Sequence, residues 1–265
     1  MSPQFGFTML GSGSHGNASV VHGPEGNILL DEGFSGVELK RRMKRAGIEP
    51  ASIRAIIITH AHGDHVNKCG CATFANHLGI PTYLVPEAVP ELQKKNINVP
   101  EKTVLFQSGF SFDLCGVHIE PFAVSHDVTA VGFAFTVPGH KIGYATDLGF
   151  ISELAKARLN GCDLLVLESN YDTKMLRMSK RRLDLKQRIA GNFGHLGNAQ
   201  AMIALEELLA PNTKHLILAH ISGECNDPEI LRPLAEARLA ELNRKDISFC
   251  LASQSDPLDT VCIEE

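Results

Sequence analysis

Several signals that commonly place a protein in a membrane or outside the cell are missing from this sequence. No segment approaches the roughly 18 consecutive apolar residues that a membrane-spanning helix needs. The N-terminus has no basic segment followed by an apolar one, so a secretory signal is not expected. The seven cysteines are odd in number, scattered and without a CxxC pair, which favours reduced thiols over a disulfide framework. We therefore expect a cytoplasmic protein that does not bind membranes.

An excess of positive charge is missing as well. The net charge of −5 gives no general attraction to nucleic acids or anionic lipids. Basic residues are nevertheless concentrated in residues 40–45 and in residues 174–188. Such clusters commonly form a solvated helix face, and we adopt that interpretation for the first of them. For the second, a solvated face and a surface that binds an anionic partner both remain open.

The length and composition fit an ordinary folded domain. The chain has 265 residues, of which 44% are hydrophobic and 21% are charged. These proportions are close to the globular average, and the length lies within the range of large single domains. Because the sequence contains no linker, repeat or low-complexity segment, we predict one domain that spans residues 1–265.

One segment dominates the chemistry of the sequence. Residues 55–59 form an almost entirely apolar run, which suits a strand buried on both faces of a sheet. Four side chains with metal-binding groups follow directly: His60, His62, Asp64 and His65. Imidazole nitrogens and carboxylate oxygens are donors that Zn²⁺ prefers and that Mn²⁺ or Fe²⁺ tolerates. We interpret the segment as a metal-binding loop rather than an exposed polar loop, with a second metal position allowed by the bend at Gly63.

The loop sequence His-Ala-His-Gly-Asp-His resembles the HxHxDH signature of the metallo-β-lactamase fold hydrolases. The resemblance implies an α/β protein built as a four-layer αββα sandwich, with a binuclear metal site between the two sheets. It also implies that further ligands follow downstream. Cys69 and Cys71 lie close to the loop, but on a helix that begins near Asn67 they would point to different faces, so we interpret them as structural.

The remaining elements can be predicted from local patterns. Capping and breaker residues, among them the caps Ser35 and Asp227, predict helices over residues 37–46, 68–78, 86–95, 198–209 and 228–243. Short apolar runs between turn residues predict strands over residues 103–106, 110–114, 117–124, 130–137 and 141–145, and we assign all five to the second sheet. The basic residues 174–188 are predicted to lie in a loop.

Residues 11–16 match the GxGxxG pattern of dinucleotide-binding proteins. That pattern needs a helix that opens at the glycines, whereas residues 18–22 and 27–31 are typical of strands joined by a turn. We therefore reject a dinucleotide site. The glycines still permit close approach of a ligand, so backbone amides with the hydroxyls of Ser12 or Ser14 can hold a substrate phosphate.

Three later strands end in a histidine or an aspartate: His126, Asp147 and His220. Without the resemblance, His126 can be an ordinary loop histidine and Asp147 a helix cap, although Ser152 is the better cap. The resemblance implies one metal held by His60, His62, His126 and Asp147, and a second held by Asp64, His65, His220 and Asp147. It also implies that Asp31 orients the histidine loop from behind.

Hydrolysis is the reaction that the resemblance implies. Two divalent ions, Zn²⁺ or Mn²⁺, would share a water that attacks as hydroxide, and they would stabilise the attacking and leaving oxygens of a displacement at phosphorus. Asp64 is expected to orient that hydroxide.

Three further motifs resemble the YycJ/WalJ subgroup of this family, namely GSGSHGN at residues 11–17, ESNYD at 168–172 and GHLGN at 194–198. The likeness spans nearly the full length and implies a DNA exonuclease. His195 then protonates the leaving oxygen or holds the scissile phosphate, or it merely caps the helix that starts at Asn198. Basic side chains along the phosphate backbone predict binding that weakens with salt. The predicted substrate contacts are Ser12, Ser14, Asn170, Lys180, Arg181 and Arg182.

Two other functions remain as alternatives. A small-molecule hydrolase acting on a thioester, lactone or cyclic phosphodiester would be indifferent to salt and to loss of Arg181 and Arg182. A binding module would retain metal without hydrolysing any ester, which the complete set of ligands argues against.

Overall fold

A computed structural model describes residues 5–68 and 71–263 of the chain, with residues 71–73 described by their backbone alone. Cys69 and the side chain of Cys71, interpreted above as structural, lie outside this description. Within it, none of the helices is long and apolar enough to cross a membrane.

The described residues form two seven-stranded sheets. In spatial order, the first sheet contains β14 (Val261–Cys262), β1 (Gly6–Gly11), β2 (Ala18–Gly23), β3 (Gly26–Leu30), β4 (Ile53–Ile57), β5 (Thr82–Leu84) and β6 (Thr103–Leu105). The second contains β13 (Ser248–Leu251), β12 (His215–Ala219), β11 (Leu164–Glu168), β10 (His140–Ala145), β9 (Ala130–Val137), β8 (Val117–Val124) and β7 (Phe112–Leu114).

The two sheets share one plan of strand pairing. In the first sheet, pairing is antiparallel from β14 to β3 and parallel from β3 to β6. In the second, it is antiparallel from β7 to β10 and parallel from β10 to β13. Parallel strands end at a common edge of their sheet, and this edge is where α/β proteins place ligands. Each sheet therefore offers a row of strand ends for polar side chains.

Helices flank the sheets, and several begin where the sequence predicts. The described helices are α1 (Gly36–Arg45), α2 (Cys71–Leu78), α3 (Ala88–Lys94), α4 (Glu153–Leu159), α5 (Thr173–Met178), α6 (Leu183–Ala190), α7 (Asn198–Leu208) and α8 (Pro228–Glu241). The side chains of Ser35, Ser152 and Asp227 each accept a hydrogen bond from a backbone N–H in the first turn of α1, α4 and α8. Such caps satisfy amides that have no partner within the helix.

A continuous apolar core lies between the sheets. It joins first-sheet residues such as Phe7 to second-sheet residues such as Phe133, and the rings of Phe7 and Tyr144 lie 6.2 Å apart across the interface. A fully buried side chain of this size contributes roughly 1.5–3 kcal/mol. A second cluster packs the outer face of the second sheet against α4, α7 and α8. The apolar core thus fixes the spacing of the sheets without help from the polar residues at their edge.

Two predictions about the order and form of the elements are wrong. Residues 103–105 belong to the first sheet, where β6 pairs in parallel with β5, because an apolar run specifies a strand but not its partner. The basic segment is not a loop but contains α5 and α6. Asp172 caps α5 by accepting from the Met175 N–H at 2.8 Å, and a small apolar cluster that includes Leu176 and Ile189 anchors both helices.

Candidate metal centre and active site

The polar residues singled out in the sequence meet at the edge where strand ends of both sheets face each other. Residues 60–65 follow β4, and His126, Asp147 and His220 follow β8, β10 and β12. Three residues at such strand ends have positive φ: Asp31 at 62°, Asp147 at 58° and His220 at 54°. For a residue with a Cβ this conformation costs on the order of 1–2 kcal/mol, and it is concentrated at functional sites. It turns the chain sharply where each strand ends.

Three histidines form what we term the first triad: His60, His62 and His126. One nitrogen from each lies within 4.8 Å of the others, and His126 Nε2 is 3.3 Å from His62 Nδ1. Burial lowers the pKa of all three, that of His60 to well below its usual value and that of His62 to about 4. The triad is therefore neutral at physiological pH, the form in which imidazole binds metals.

Asp64, His65 and His220 form the second triad. Asp64 Oδ2 lies 3.4 Å from His220 Nε2 and 3.8 Å from His65 Nε2. Burial alone would lower the pKa of both histidines, but neighbouring carboxylates, Asp147 first among them, outweigh it. They raise the pKa of His65 well above its usual value and that of His220 to about 10. Burial raises the pKa of Asp64, but the opposite effect of His65 and His220 is larger and lowers the pKa to about 2.

Asp147 lies between the triads and contacts both. Its Oδ2 is 3.2 Å from His65 Nε2, and its Oδ1 is 3.3 Å from His220 Nδ1 and 3.9 Å from His126 Nε2. Burial favours the neutral acid, but the histidines around it hold the pKa of Asp147 well below its usual range. A buried carboxylate shared by two groups of imidazoles can bridge two cations.

The residues present fit divalent metal ions. Within the described residues, His60 Nε2 is buried without a hydrogen-bond partner. Leaving such a nitrogen unsatisfied costs about 1–3 kcal/mol, and a bound cation would remove that cost. Imidazole and carboxylate together are also the donor set of zinc and related transition metals.

Asp31 lies behind the second triad. Its Oδ2 accepts a hydrogen bond from His65 Nδ1 at 2.7 Å, and its Oδ1 accepts from the Thr59 N–H at 2.8 Å. The first contact fixes the His65 ring with Nε2 directed toward Asp64 and Asp147. Orientation of this kind sets the tautomer and basicity of a metal-binding histidine.

Glu168, at the end of β11, is a functional residue that the sequence reasoning missed. Its Oε1 lies 2.6 Å from His220 Nδ1 and 2.9 Å from His195 Nδ1. Its Oε2 accepts from the N–H groups of Leu148 and Leu196. Burial raises the pKa of Glu168, but the two histidines outweigh it and lower the pKa to about 2. The available signal was a carboxylate at the end of an apolar strand, a position that Asp31 also occupies.

His195 lines the pocket beside the triads. The alternative in which it caps α7 is wrong, because Gly197 occupies the cap position and its N–H donates to Gln200 Oε1 at 2.9 Å. His195 Nδ1 is committed to Glu168, which leaves Nε2 available for a ligand.

Comparison with known proteins places this fold and site in a family. Residues 26–221 match the family described as the beta-lactamase superfamily domain. This chain belongs to the metallo-β-lactamase superfamily. It is 32% identical over 228 residues to exodeoxyribonuclease YycJ of Bacillus anthracis, covering 85% of this chain and 86% of the relative. It is 28% identical over 242 residues to exodeoxyribonuclease WalJ of Streptococcus pneumoniae, covering 89% of each.

A solved structure supports the same fold. The metallo-β-lactamase fold protein YhfI of Bacillus subtilis matches with a TM-score of 0.70 at 18% identity, covering 96% of this chain and 99% of that one. The expected αββα sandwich is thereby confirmed, as is the resemblance to the superfamily. This member of the superfamily is a metal-dependent hydrolase.

In this hydrolase, two of the predicted substrate contacts lie behind the site instead of on its surface. Ser12 Oγ accepts from the His220 N–H at 2.9 Å and donates to Asn17 Oδ1 at 2.8 Å. Asn170 Nδ2 donates to the His220 carbonyl at 2.7 Å. Both side chains are buried, and the Ser12 hydroxyl and the Asn170 Nδ2 group are hydrogen-bonded within the fold. They brace His220, and their assignment as substrate contacts stays a prediction.

The other predicted contacts divide between the pocket and the outer surface. Ser14 and Arg181 line the pocket, and Arg181 Nε also donates to Glu224 at 3.0 Å. Lys180 and Arg182 are exposed and are not among the lining residues, and Arg182 pairs with Asp184.

Arg188 lines the pocket although it was not singled out among the predicted contacts. Its guanidinium forms an ion pair with Asp127. Asp127 Oδ1 in turn lies 3.3 Å from His62 Nε2. One carboxylate thus connects a basic side chain at the pocket wall to the first triad.

Proposed function

We propose that this protein is a binuclear-metal-dependent phosphodiesterase that acts as a DNA exonuclease. The observation that carries the proposal is the pair of triads joined by Asp147, in a pocket whose wall also bears Arg181 and Arg188. The likeness to two exodeoxyribonucleases over most of the chain supports DNA as the substrate.

The metal ligands in this proposal follow the triads. His60, His62 and His126 hold one divalent ion, Asp64, His65 and His220 hold the other, and Asp147 serves both. When bound, Zn²⁺ or Mn²⁺ ions supply the Lewis acidity that activates a water and offsets negative charge at phosphorus. Asp64 faces the pocket and accepts a hydrogen bond from the attacking water, which orients it.

His195 is proposed to donate a proton to the leaving oxygen. Its ring lines the pocket, and Nδ1–H donates to Glu168, so that Nε2 faces the substrate and delivers its proton from the imidazolium form of the ring. General acid catalysis of this kind contributes typically about 10²–10⁴-fold to a rate. Glu168 is a positioning residue, because it acts through His195 and His220 and does not itself line the pocket.

Arg181, Arg188 and Ser14 are proposed to contact the phosphate backbone. A guanidinium can bind phosphate through two parallel hydrogen bonds, and each phosphate contact adds to the salt dependence of binding. Arg182 provides a matched control, because its side chain is 86% exposed and is not among the pocket-lining residues.

The deciding experiment measures nucleotide release from single- and double-stranded DNA labelled at the 5′ or 3′ end, with Mn²⁺ or Zn²⁺. We expect stepwise release from one end by the wild type, and no release by Asp64→Ala protein that melts like the wild type. Arg181→Ala and Arg188→Ala should weaken binding and reduce its salt dependence, whereas Arg182→Ala should not. Absence of release with either metal, together with turnover of a thioester, lactone or cyclic phosphodiester, would establish the small-molecule alternative instead.

A further inference from the structure

An exposed aromatic ring lies at the wall of an otherwise largely polar pocket. Phe193, in the turn between α6 and α7, is 65% exposed and lines the pocket together with His62, His126, Asp64 and His220. A single exposed apolar side chain is ordinary on a protein surface. Its position and the rigidity of its backbone are what distinguish this one.

The backbone on both sides of Phe193 is held tightly. The Gly194 N–H donates to the Gly191 carbonyl at 2.9 Å, and the His195 N–H donates to the Ile189 carbonyl at 2.9 Å. On the other side, Ser125 Oγ donates to the Asn192 carbonyl at 2.7 Å. The backbone of Phe193 is therefore held in a fixed place two residues from His195.

Two glycines allow the turn to pack this closely. A Cβ on Gly194 would lie 2.1 Å from the Arg188 carbonyl oxygen, and a Cβ on Gly149 would lie 2.2 Å from the Asn192 carbonyl oxygen. Because these contacts are with backbone atoms, neither neighbour can move aside cheaply. The backbone of the turn that carries the exposed ring is thus closely packed.

The neighbours of the ring identify its partner. Arg188 lines the same pocket, and its side chain is 57% exposed, so part of the guanidinium remains available beside its ion pair with Asp127. A flat apolar surface and a cation, next to a site that cleaves phosphodiesters, match the base and the phosphate of one nucleotide. Aromatic side chains bind bases by stacking without regard to sequence.

We propose that Phe193 is the stacking platform for the base of the nucleotide next to the cleaved bond, and that Arg188 binds the phosphate of that nucleotide. The proposal rests on the proposed nuclease function and adds a specificity-determining residue to it. Stacking of one base on an aromatic ring strengthens binding by roughly 10-fold to 100-fold. A phosphodiester without a base gains none of this.

The test compares Phe193→Ala and Phe193→Trp with Phe110→Ala. Phe110 is a suitable control because it is 68% exposed and lines a different pocket. The substrates are a single-stranded oligonucleotide and the same oligonucleotide with an abasic nucleotide at the end that the wild type degrades. We expect Phe193→Ala to raise KM for the normal oligonucleotide about 10-fold or more while kcat changes little. Phe193→Trp and Phe110→Ala should keep the wild-type KM.

The abasic substrate separates stacking from a structural effect. The wild type should bind the abasic end about 10-fold or more weakly than the normal end, and Phe193→Ala should no longer distinguish the two. A Phe193→Ala protein that keeps the wild-type KM, or that still discriminates against the abasic end, would overturn the proposal. If the wild type releases no nucleotides at all, the nuclease function itself fails, and the two failures are thereby distinguished.

Discussion

The two triads share one pocket but differ in charge. Burial lowers the pKa of every histidine in the first triad, so these rings are neutral. In the second triad, carboxylates raise the pKa of His65 and His220, so these rings are protonated on both nitrogens and positively charged when no metal is bound. The same residue type at the same edge of the fold therefore has two protonation states.

Asp147 raises the pKa of His65 and His220 the most, and a second part of the difference lies in what contacts the far side of each ring. In the first triad, the Thr59 hydroxyl contacts His60 Nδ1 at 3.0 Å and the Gly194 carbonyl accepts from His126 Nδ1 at 3.1 Å. In the second triad, the corresponding partners are the buried carboxylates of Asp31 and Glu168. A neutral partner leaves the ring ready to bind a cation, whereas a carboxylate stabilises a proton that a cation must displace.

The largest expected effect follows from removing the charge shared by the triads. Asp147→Asn keeps the shape of the side chain but removes the negative charge that contacts both groups. We expect kcat for phosphodiester hydrolysis to fall by about 10³-fold or more, since electrostatic stabilisation by a metal site is worth several kcal/mol. Metal analysis should find fewer bound ions than in the wild type. Asp113→Asn, at a side chain that is 81% exposed, is the control. Wild-type activity in Asp147→Asn would mean that the triads act separately.

The pH dependence of metal binding should differ between the triads. His220→Ala leaves the first triad intact, and His62→Ala leaves the second. His62 has a pKa of about 4 and is neutral above it, so metal affinity of the first triad should be nearly constant between about pH 6 and pH 8. His220 has a pKa of about 10, so each proton displaced from the second triad should make affinity rise about tenfold per pH unit over the same range. Calorimetric titration with Mn²⁺ measures both. If metal affinity changed with pH equally in the two variants, the triads would not differ in protonation state.

The two buried carboxylates should also differ when each is neutralised. Asp31→Asn affects His65 and is expected to weaken metal binding about 10–100-fold, with kcat restored at saturating metal. Glu168→Gln affects His220 similarly, but it also removes the partner of His195, so a deficit in kcat should persist at saturating metal. The measurement is kcat as a function of Mn²⁺ concentration. If Glu168→Gln reached the wild-type kcat at saturating Mn²⁺, His195 would have no part in proton transfer.

The last prediction concerns the stability of the metal-free protein. Folding raises the pKa of His220. Its contribution to the free energy of unfolding is therefore complete below the unfolded pKa of 6.5 and is lost as pH rises through about 10. Stability should therefore decline with rising pH in this window, by roughly 1.4 kcal/mol for each pKa unit of the shift. Thermal melts in chelator should show a Tm that falls between pH 7 and pH 10. Saturating Mn²⁺ should abolish the decline, because the cation replaces the protons.

Local patterns in the sequence were sufficient for much of the fold, and the resemblance to a known family added the later residues that are expected to bind metal. The apolar run before His60 predicted its strand, and Ser35, Ser152 and Asp227 predicted helix starts that the structure confirms. Such signals depend on neighbours within a few residues. The sheet that receives β6 and the helices within residues 174–188 could not be predicted in this way, because they depend on contacts with distant segments.

The sequence by itself determined which residues have the chemistry of a metal site, and in what order they follow the strands. Tertiary structure alone decided how those residues are used. Ser12 braces His220 across 208 residues of chain, and Glu168 joins His195 to His220 in a buried cluster. Hydrogen-bond partners and pKa values depend on the groups that folding brings within a few ångströms, and a linear pattern does not contain that proximity. For this reason HxHxDH identified the metal-binding loop, while the charges of its two triads became visible only in the folded molecule.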